Sequence, residues 1–554
     1  MSQTKKLPYS YHTFVYPFSY EAIDSIRMRE EACDWILEAF YMDEINMPGK
    51  SEEELEEFRL QYNAFQYFFP KARQNMFNLQ GSDDISELYK YKLDYTRESE
   101  YIIGKKEQSY HLRINNIRLA LFKELKVGIL SFETEYHPKT SDNHFEEALS
   151  INEFGRRLYP PYLTKDNLPT AEQIQLQLFP GARGDNSSES FHINFNIKNS
   201  MFDNKPGLVE ELLPRAKGKS IISDIKPILD DRMYVISLIR DDVLSNGSQL
   251  NRFGIGTKNV NLDCEEGMKL AQDIYKFIFV DSKDCTCQNR SMLKEKLEEH
   301  LYARWVNYGT LHGITEYSMV CITGTNEGCI PAVITPFLMH YTEMVKLGIA
   351  QRSALVRLET EVGEVCKSLS IERKLTGDDR KKELDEINNV WKKYILFQNE
   401  LLMPEVTFQE QGVELYQMLK ASLKITELND YIDSELNNLH DVANMEYAQI
   451  EQEANSKTNR SLNLLAVVGT ILAAVGMAQD YLNTGKNESI SITTLSVKYF
   501  SGFIALLILT IVVFNLFEKK GIKHNSIKGL VLLVFLITLF WLVTLLVPYA
   551  MYLL

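Results

Sequence analysis

Cysteine is scarce in this 554-residue sequence: there are seven, at Cys33, Cys264, Cys285, Cys287, Cys321, Cys329 and Cys366. An odd number without paired spacing builds no disulfide framework and points to reduced thiols, hence to a cytosolic setting for the part that carries them. Cys285 and Cys287 are the one close pair, and without a second pair or a nearby histidine they offer too few ligands for zinc. The ten histidines do not cluster. Nucleophile elbow, Walker loop, dinucleotide fingerprint and metalloprotease helix are all missing, so no catalytic residue is assigned and the chain reads as a non-enzyme. Residues 1–20 are polar and aromatic and lack the apolar segment of a signal peptide.

Positive charge is missing from one long stretch. Between Lys424 and Lys457 there is no Lys or Arg, while Glu427, Asp430, Asp433, Glu435, Asp441, Glu446, Glu451 and Glu453 are all present. With a net charge of -15, this excludes a scaffold that holds nucleic acid through its phosphates, and no direct nucleic-acid binding is expected. Small basic pockets for a phosphate ligand stay open.

The sequence divides into four parts. Residues 1–334 read as a mixed α/β sensor domain with a helical, Tyr- and Phe-rich beginning. Strands are expected at 110–114, 117–122, 127–133, 191–197, 233–239, 275–280 and 314–323, and helices at 52–59, 145–154 and 292–302. Two flanking helices, 338–365 and 379–402, fill 335–404, and Pro404 ends the second. Residues 405–460 read as a stalk, with a continuous helix from 412 to 460 about 70 Å long at about 1.5 Å per residue. Leu428, Ile432, Leu436, Leu439, Ala443, Ile450 and Ala454 form a narrow apolar stripe on it, of the kind that seams parallel helices, and a homo-oligomeric ring supplies such neighbours.

Residues 461–554 complete the pattern. Spans are expected at about 461–480, 499–517 and 529–554, each near the roughly 20 residues that cross a hydrocarbon core. Lys519, Lys520, Lys523 and Lys528 in the second link place it, with the stalk, on the cytoplasmic side. The fold class expected is therefore a cytosolic α/β domain, a long stalk helix and an α-helical transmembrane bundle in a multi-pass membrane protein. Asn463, Thr470 and Met477, spaced by seven, share one face of the first span with Gly476 close by. They either line a pore or hydrogen-bond between helices.

Ligand-binding candidates are sought where adjacent cations meet aromatics near a helix end. Asn152, Arg156, Arg157 and Tyr159 lie in NEFGRRLYPP: Gly155 ends a helix, two arginines able to grip phosphate follow, and Tyr159 can stack on a base. Structural ion pairs are the alternative role for the arginines. Arg304, Trp305, Tyr308 and His312, in RWVNYGTLHGIT, are a second candidate, for adenine or ribose, and packing alone explains them equally well. Gln351 and Arg352 form a third, which can merely tie their helix to the domain.

In layout, and in Val475-Gly476-Met477-Ala478, in 408–416 (FQEQGVELY) and in 458–465 (TNRSLNLL), the chain resembles the CorA family of divalent-cation transporters. That family carries Gly-Met-Asn where this chain has Gly476-Met477-Ala478. The resemblance implies a pentamer, a pore lined by Asn463, Thr470, Gly476 and Met477, and magnesium held between subunits. The missing asparagine, a third span and the large cytosolic domain are similar to the CRISPR-associated (type III) branch. That branch implies a bacterial inner-membrane location and antiviral membrane permeabilisation gated by an adenosine-containing messenger, S-adenosylmethionine joined to AMP. A magnesium transporter with a divergent filter is the alternative. No covalent cofactor is expected; the partners implied are further copies of the chain, the bilayer and the small nucleotide.

Overall fold

The computed structural model describes residues 7–484 apart from 25–34, 39–51, 78–87, 96–97, 106–107, 140–142, 158–170, 172, 180–190, 197–206, 217–218, 231, 283 and 369–376. A 13-stranded sheet dominates it. Its strands are β1 (Ser10–Ser19), β2 (Trp35–Leu37), β3 (Leu88–Leu93), β4 (Glu100–Lys105), β5 (Gln108–Phe122), β6 (Val127–Tyr136), β7 (Gln173–Leu178), β8 (Phe191–Asn196), β9 (Lys226–Pro227), β10 (Tyr234–Arg240), β11 (Leu301–Tyr302), β12 (Leu311–Ile314) and β13 (Ser318–Thr323). The order is β11-β12-β13-β10-β1-β6-β5-β4-β7-β8, with β9 beside β1, β3 beside β5 and β2 beside β3. β1 pairs antiparallel with both β6 and β10, and from His12 to Phe18 every residue is buried. Only β10 and β13 pair in parallel among the described strands, so the chain between them must cross over, and it does so through helices.

The expected strand at 275–280 is the end of a helix, α3 below. Its apolar run IYKFIFV fits either period, but Leu270, Ala271, Ile274, Phe277 and Ile278 extend the pattern at helical spacing, all of them buried. The strand expected at 314–323 is two strands, because Thr315 N–H bonds Ser318 O at 2.8 Å and turns the chain. The beginning of the chain also carries β1 to β4 where helix was expected, since its Tyr and Phe residues are the sheet's core.

The helices used below are α1 (Glu52–Tyr67), α2 (His144–Gly155), α3 (Glu265–Phe279), α4 (Arg290–His300), α5 (Thr342–Ser368), α6 (Gly377–Leu396), α7 (Glu410–Ser422) and α8 (Ile425–Thr484). π-helical turns at Ile330–Ile334 and Phe337–Tyr341 lead into α5, and another at Phe397–Leu401 closes α6. The single helix expected from 412 to 460 is broken between α7 and α8: Lys424 takes a left-handed φ of 51°. Arg352 satisfies the freed end of α7, donating to Leu423 O at 2.8 Å.

α8 does not keep its stripe for a neighbour. Ile432, Leu436, Leu439 and Ala443 are buried within this chain. Tyr394 on α6 hydrogen-bonds Asn429 at 3.2 Å and Asp433 at 3.1 Å, and Trp391 stacks on His440 with ring centres 5.2 Å apart. Ala454 is exposed, and Ile450's side chain lies outside the described residues. The chain divides into two units, Met1–His440 and Asp441–Leu554.

The membrane expectation is corrected by α8. At 60 residues it has length to spare. Yet among the described residues no helix is long and apolar enough to cross a membrane. The described side chains of α8 include Glu427, Asp430, Asp433, Glu435, Asp441, Glu451, Lys457 and Arg460, whose charges interrupt its apolar residues, and a span requires a sustained apolar run. The transmembrane bundle, the description as a membrane protein with transmembrane helices, and the multi-pass inner-membrane location are therefore withdrawn. The spans expected at 499–517 and 529–554 lie outside the described residues, as do most side chains from 467 onward.

One ionic network ties the sheet to α5. Lys346 bonds Glu133 at 2.6 Å and Glu343 at 3.0 Å, Lys90 bonds Glu343 at 2.6 Å, and Arg118 joins Glu133 to Glu38. Burial alone would raise Glu343, but Lys346, Lys90 and Arg118 outweigh it and hold it at about 2. Removing one member strands the others, so Lys346→Met is expected to cost about 3–5 kcal/mol in urea unfolding. A loss below about 1 kcal/mol would show the network to be well hydrated. At Gly155 an added Cβ would meet Phe14 Cζ at 2.5 Å and Ile103 Cδ1 at 2.8 Å. Gly155→Ala is expected to cost about 1–3 kcal/mol, read as a lowered melting temperature.

Candidate functional site

Arg156 follows the last turn of α2, whose buried face carries Ala148, Leu149, Ile151 and Asn152 against the sheet. Arg156 O accepts from Met233 N at 2.8 Å, and Arg157 bridges Arg232, just before β10 begins. Tyr317, in the turn between β12 and β13, lies under two guanidinium groups: Arg156 Cζ is 5.3 Å and Arg232 Cζ 5.6 Å from its ring centre. Three arginines and one aromatic thus converge from three separate segments.

The electrostatics of this corner are unusual. Arg156 is 4% exposed, and its Nε and Nη1 meet no hydrogen-bond acceptor among the described residues. Burial, then Arg232 and Arg157, pull its pKa down to about 10. The nearby carboxylates are engaged elsewhere: Glu153 accepts from Ser282 N at 3.0 Å, Asp281 accepts from Thr286 Oγ1 at 2.7 Å, and Asp230 holds Arg232 at 2.6 Å. A buried guanidinium beside like charges is costly unless an anion meets it, and its planar fork suits phosphate or carboxylate oxygens.

Asn152, one turn back on α2, has a structural task. Its Oδ1 lies 2.7 Å from His12 Nδ1, and Ser10 and Ser237 hydroxyls complete the shell of that ring at 2.8 Å and 3.2 Å. Asn152 Nδ2 is buried without a partner among the described residues. Tyr159 lies outside the described residues.

The second candidate does not join the first. β12 spans four residues, roughly 13 Å at about 3.3 Å per residue. Tyr317 sits beyond one end of it and Trp305 and Tyr308 before the other. Arg304 is committed to α7, donating to both oxygens of Glu414 at 2.7 Å and to Glu410 at 2.5 Å. Trp305 Nε1 bonds Gln411 at 3.1 Å. Tyr308 is 79% exposed. His312 is buried among Tyr302, Phe337 and Tyr341, with no hydrogen-bond partner on either ring nitrogen among the described residues. The third candidate is structural as well: Gln351 bonds Leu401 O and the Tyr416 hydroxyl, and Arg352 caps α7.

The expected pore residues all lie on α8. Asn463 and Gly476 are exposed, and the side chains of Thr470 and Met477 lie outside the described residues. Among the described residues no group of three or more His, Cys, Asp and Glu is arranged to hold a metal ion. Sequence reasoning missed Arg232 and Tyr317. Arg232 follows two aspartates and reads as a surface ion pair, and nothing in the spacing links either residue to Arg156.

Burial lowers both His12 and His312 from 6.5 to about 4. The folded pKa lies below the unfolded one, so the unfolded chain binds more protons between those values. Stability is complete above pH 6.5 and falls as pH drops toward 4, by up to about 3 kcal/mol per histidine. His312→Phe gives up no hydrogen bond and is expected to flatten this slope by about one histidine's share, measured by urea unfolding from pH 7.5 to 4.5. An unchanged slope would place the titration elsewhere.

Comparison of the chain with protein-family models, with curated proteins and with solved structures found no match.

Proposed function

We propose that residues 1–440 form a sensor for a phosphate-bearing, adenosine-containing messenger, bound by Arg156, Arg157 and Arg232 with Tyr317 as the stacking surface. It acts by binding and not by catalysis. The observation that carries this reading is the buried Arg156 guanidinium, two of whose nitrogens meet no acceptor among the described residues, with two further arginines beside it. A phosphate anion would compensate that charge, and an aromatic ring beside it suits a base. The resemblance to the CRISPR-associated CorA branch, where such a messenger is the activator, agrees with this chemistry.

The way out of the sensor is α5. It is ionically tied to β3 and β6 at its start, and through Arg352 it holds the joint between α7 and α8. A shift of the sheet on ligand binding would reach α8 by that route. Self-association through α8 belongs to the same proposal: beyond Ala443 its described side chains are exposed, Leu462, Leu464 and Leu465 among them. Several copies would cover those residues, and the resemblance implies five.

The test is calorimetric titration of full-length protein with the S-adenosylmethionine–AMP conjugate, and with AMP as a shorter probe. Arg156→Ala combined with Arg157→Ala is expected to weaken binding by at least about a hundredfold, the cost of losing two charge-assisted contacts. Arg156→Met is expected to abolish binding yet stabilise the ligand-free protein by about 1–3 kcal/mol, because an uncompensated buried charge is removed. Unchanged affinity in the double variant would overturn the assignment.

A further inference from the structure

A cavity of about 590 Å³ opens on the other side of the sheet. Along β1, His12 meets Asn152 of α2 and Phe14 approaches Gly155, whereas Tyr11 and Thr13, on the alternate positions, line this cavity. It is therefore separate from the arginine site. Its roof comes from α1 through Gln61 and Ala64 and from Phe77, and one wall is the start of α5. The volume lies within the range of small-molecule sites.

The floor is shaped by an irregularity of the strand. β5 slips register against β6 between Ile114 and Asn116, so that one extra residue, Asn115, is accommodated. Two consecutive asparagines consequently reach carboxylates on the same side of β6: Asn115 donates to Glu135 at 3.1 Å and Asn116 to Glu133 at 2.8 Å. With each Nδ2 engaged, each carbonyl Oδ1 is left to accept a hydrogen bond. The charged residues that line the cavity (Lys90, Arg118, Glu38, Glu133 and Glu343) are paired in one network that Lys346, outside the lining, completes as three cations against three carboxylates. A ligand with net charge would have to break one of these pairs, whereas an uncharged one would not.

We infer that this cavity binds an uncharged, nucleoside-sized heteroaromatic molecule whose exocyclic amino group donates to the Asn115 and Asn116 carbonyls. Tyr11 and Phe77 supply aromatic walls for a planar ring. Amide side chains are the natural partners of nucleobase edges, since they match a donor or acceptor at fixed geometry. The occupant would touch Thr342 and Glu343, so it would bear directly on α5.

The experiment uses full-length protein with adenosine, cytidine and uridine as probes, by thermal shift and calorimetry. Adenosine or cytidine is expected to bind at least about tenfold tighter than uridine, which lacks the amino group. Ala64→Trp, which fills the cavity from its roof, is expected to remove that binding. Thr13→Val, nearly isosteric, removes a hydroxyl from the cavity wall and is expected to weaken binding by at least about threefold, the loss of one modest hydrogen bond from that hydroxyl to the nucleoside's ribose. Arg156→Ala with Arg157→Ala should leave nucleoside binding intact, which separates this site from the messenger site. No thermal shift with any of the three nucleosides, or affinity unchanged in both Ala64→Trp and Thr13→Val, would overturn the inference.

Discussion

The hydrogen bonding of β1 along both edges is the constraint on which the rest depends. Paired with β6 on one side and β10 on the other, β1 joins the long antiparallel half of the sheet to the short part that contains the parallel pair. Its alternation then divides the chemistry. His12 and Phe14 support α2 and so fix where Arg156 emerges, while Tyr11 and Thr13 help to line the cavity beside α1 and α5. A slip of one residue in β1 would exchange these two faces and destroy both sites at once.

The two faces solve the problem of buried charge in opposite ways. Beneath α5, cations and carboxylates are equal in number and in contact, so the network is neutral and links sheet to helix. Around Tyr317, Asp230 pairs with Arg232 while Glu153 and Asp281 hold backbone or hydroxyl groups, and two nitrogens of Arg156 meet no acceptor among the described residues. The first arrangement is complete in itself and suits a structural tie. The second leaves two nitrogens of a buried guanidinium without an acceptor among the described residues, which is what the proposed anionic ligand would supply.

Much of the outline was legible in the sequence because it depends on local pattern. β6, α2, α4, the two long helices before Pro404 and the acidic helix from Ile425 follow from apolar spacing, end signals and charge, whereas the two strands expected at 110–114 and 117–122 are one, β5, whose alternation is interrupted by the bulge at Asn115. Arg156 and Arg157 were legible as a pair next to a helix-ending glycine. The α3 segment at 275–280 was misread because a short apolar run has no period of its own. The break at Lys424 was invisible, since a left-handed lysine there is held by Arg352, a residue far away in the chain. Three withdrawn expectations, the transmembrane bundle, the membrane-protein description and the multi-pass location, rested on apolar content read along the chain.

By itself, then, the sequence determined which segments are amphipathic, where single-sign charge accumulates along α8, and that two neighbouring arginines end α2. Tertiary structure alone decided that Arg232 and Tyr317 complete that pair, that Asn115 and Asn116 share a side, and that the α8 stripe is spent within its own chain as far as Ala443. The physical reason is the same in each case. Spacing along a chain specifies which face a side chain occupies, but whether a charge is matched, or an apolar face covered, depends on what the sheet brings to it from elsewhere.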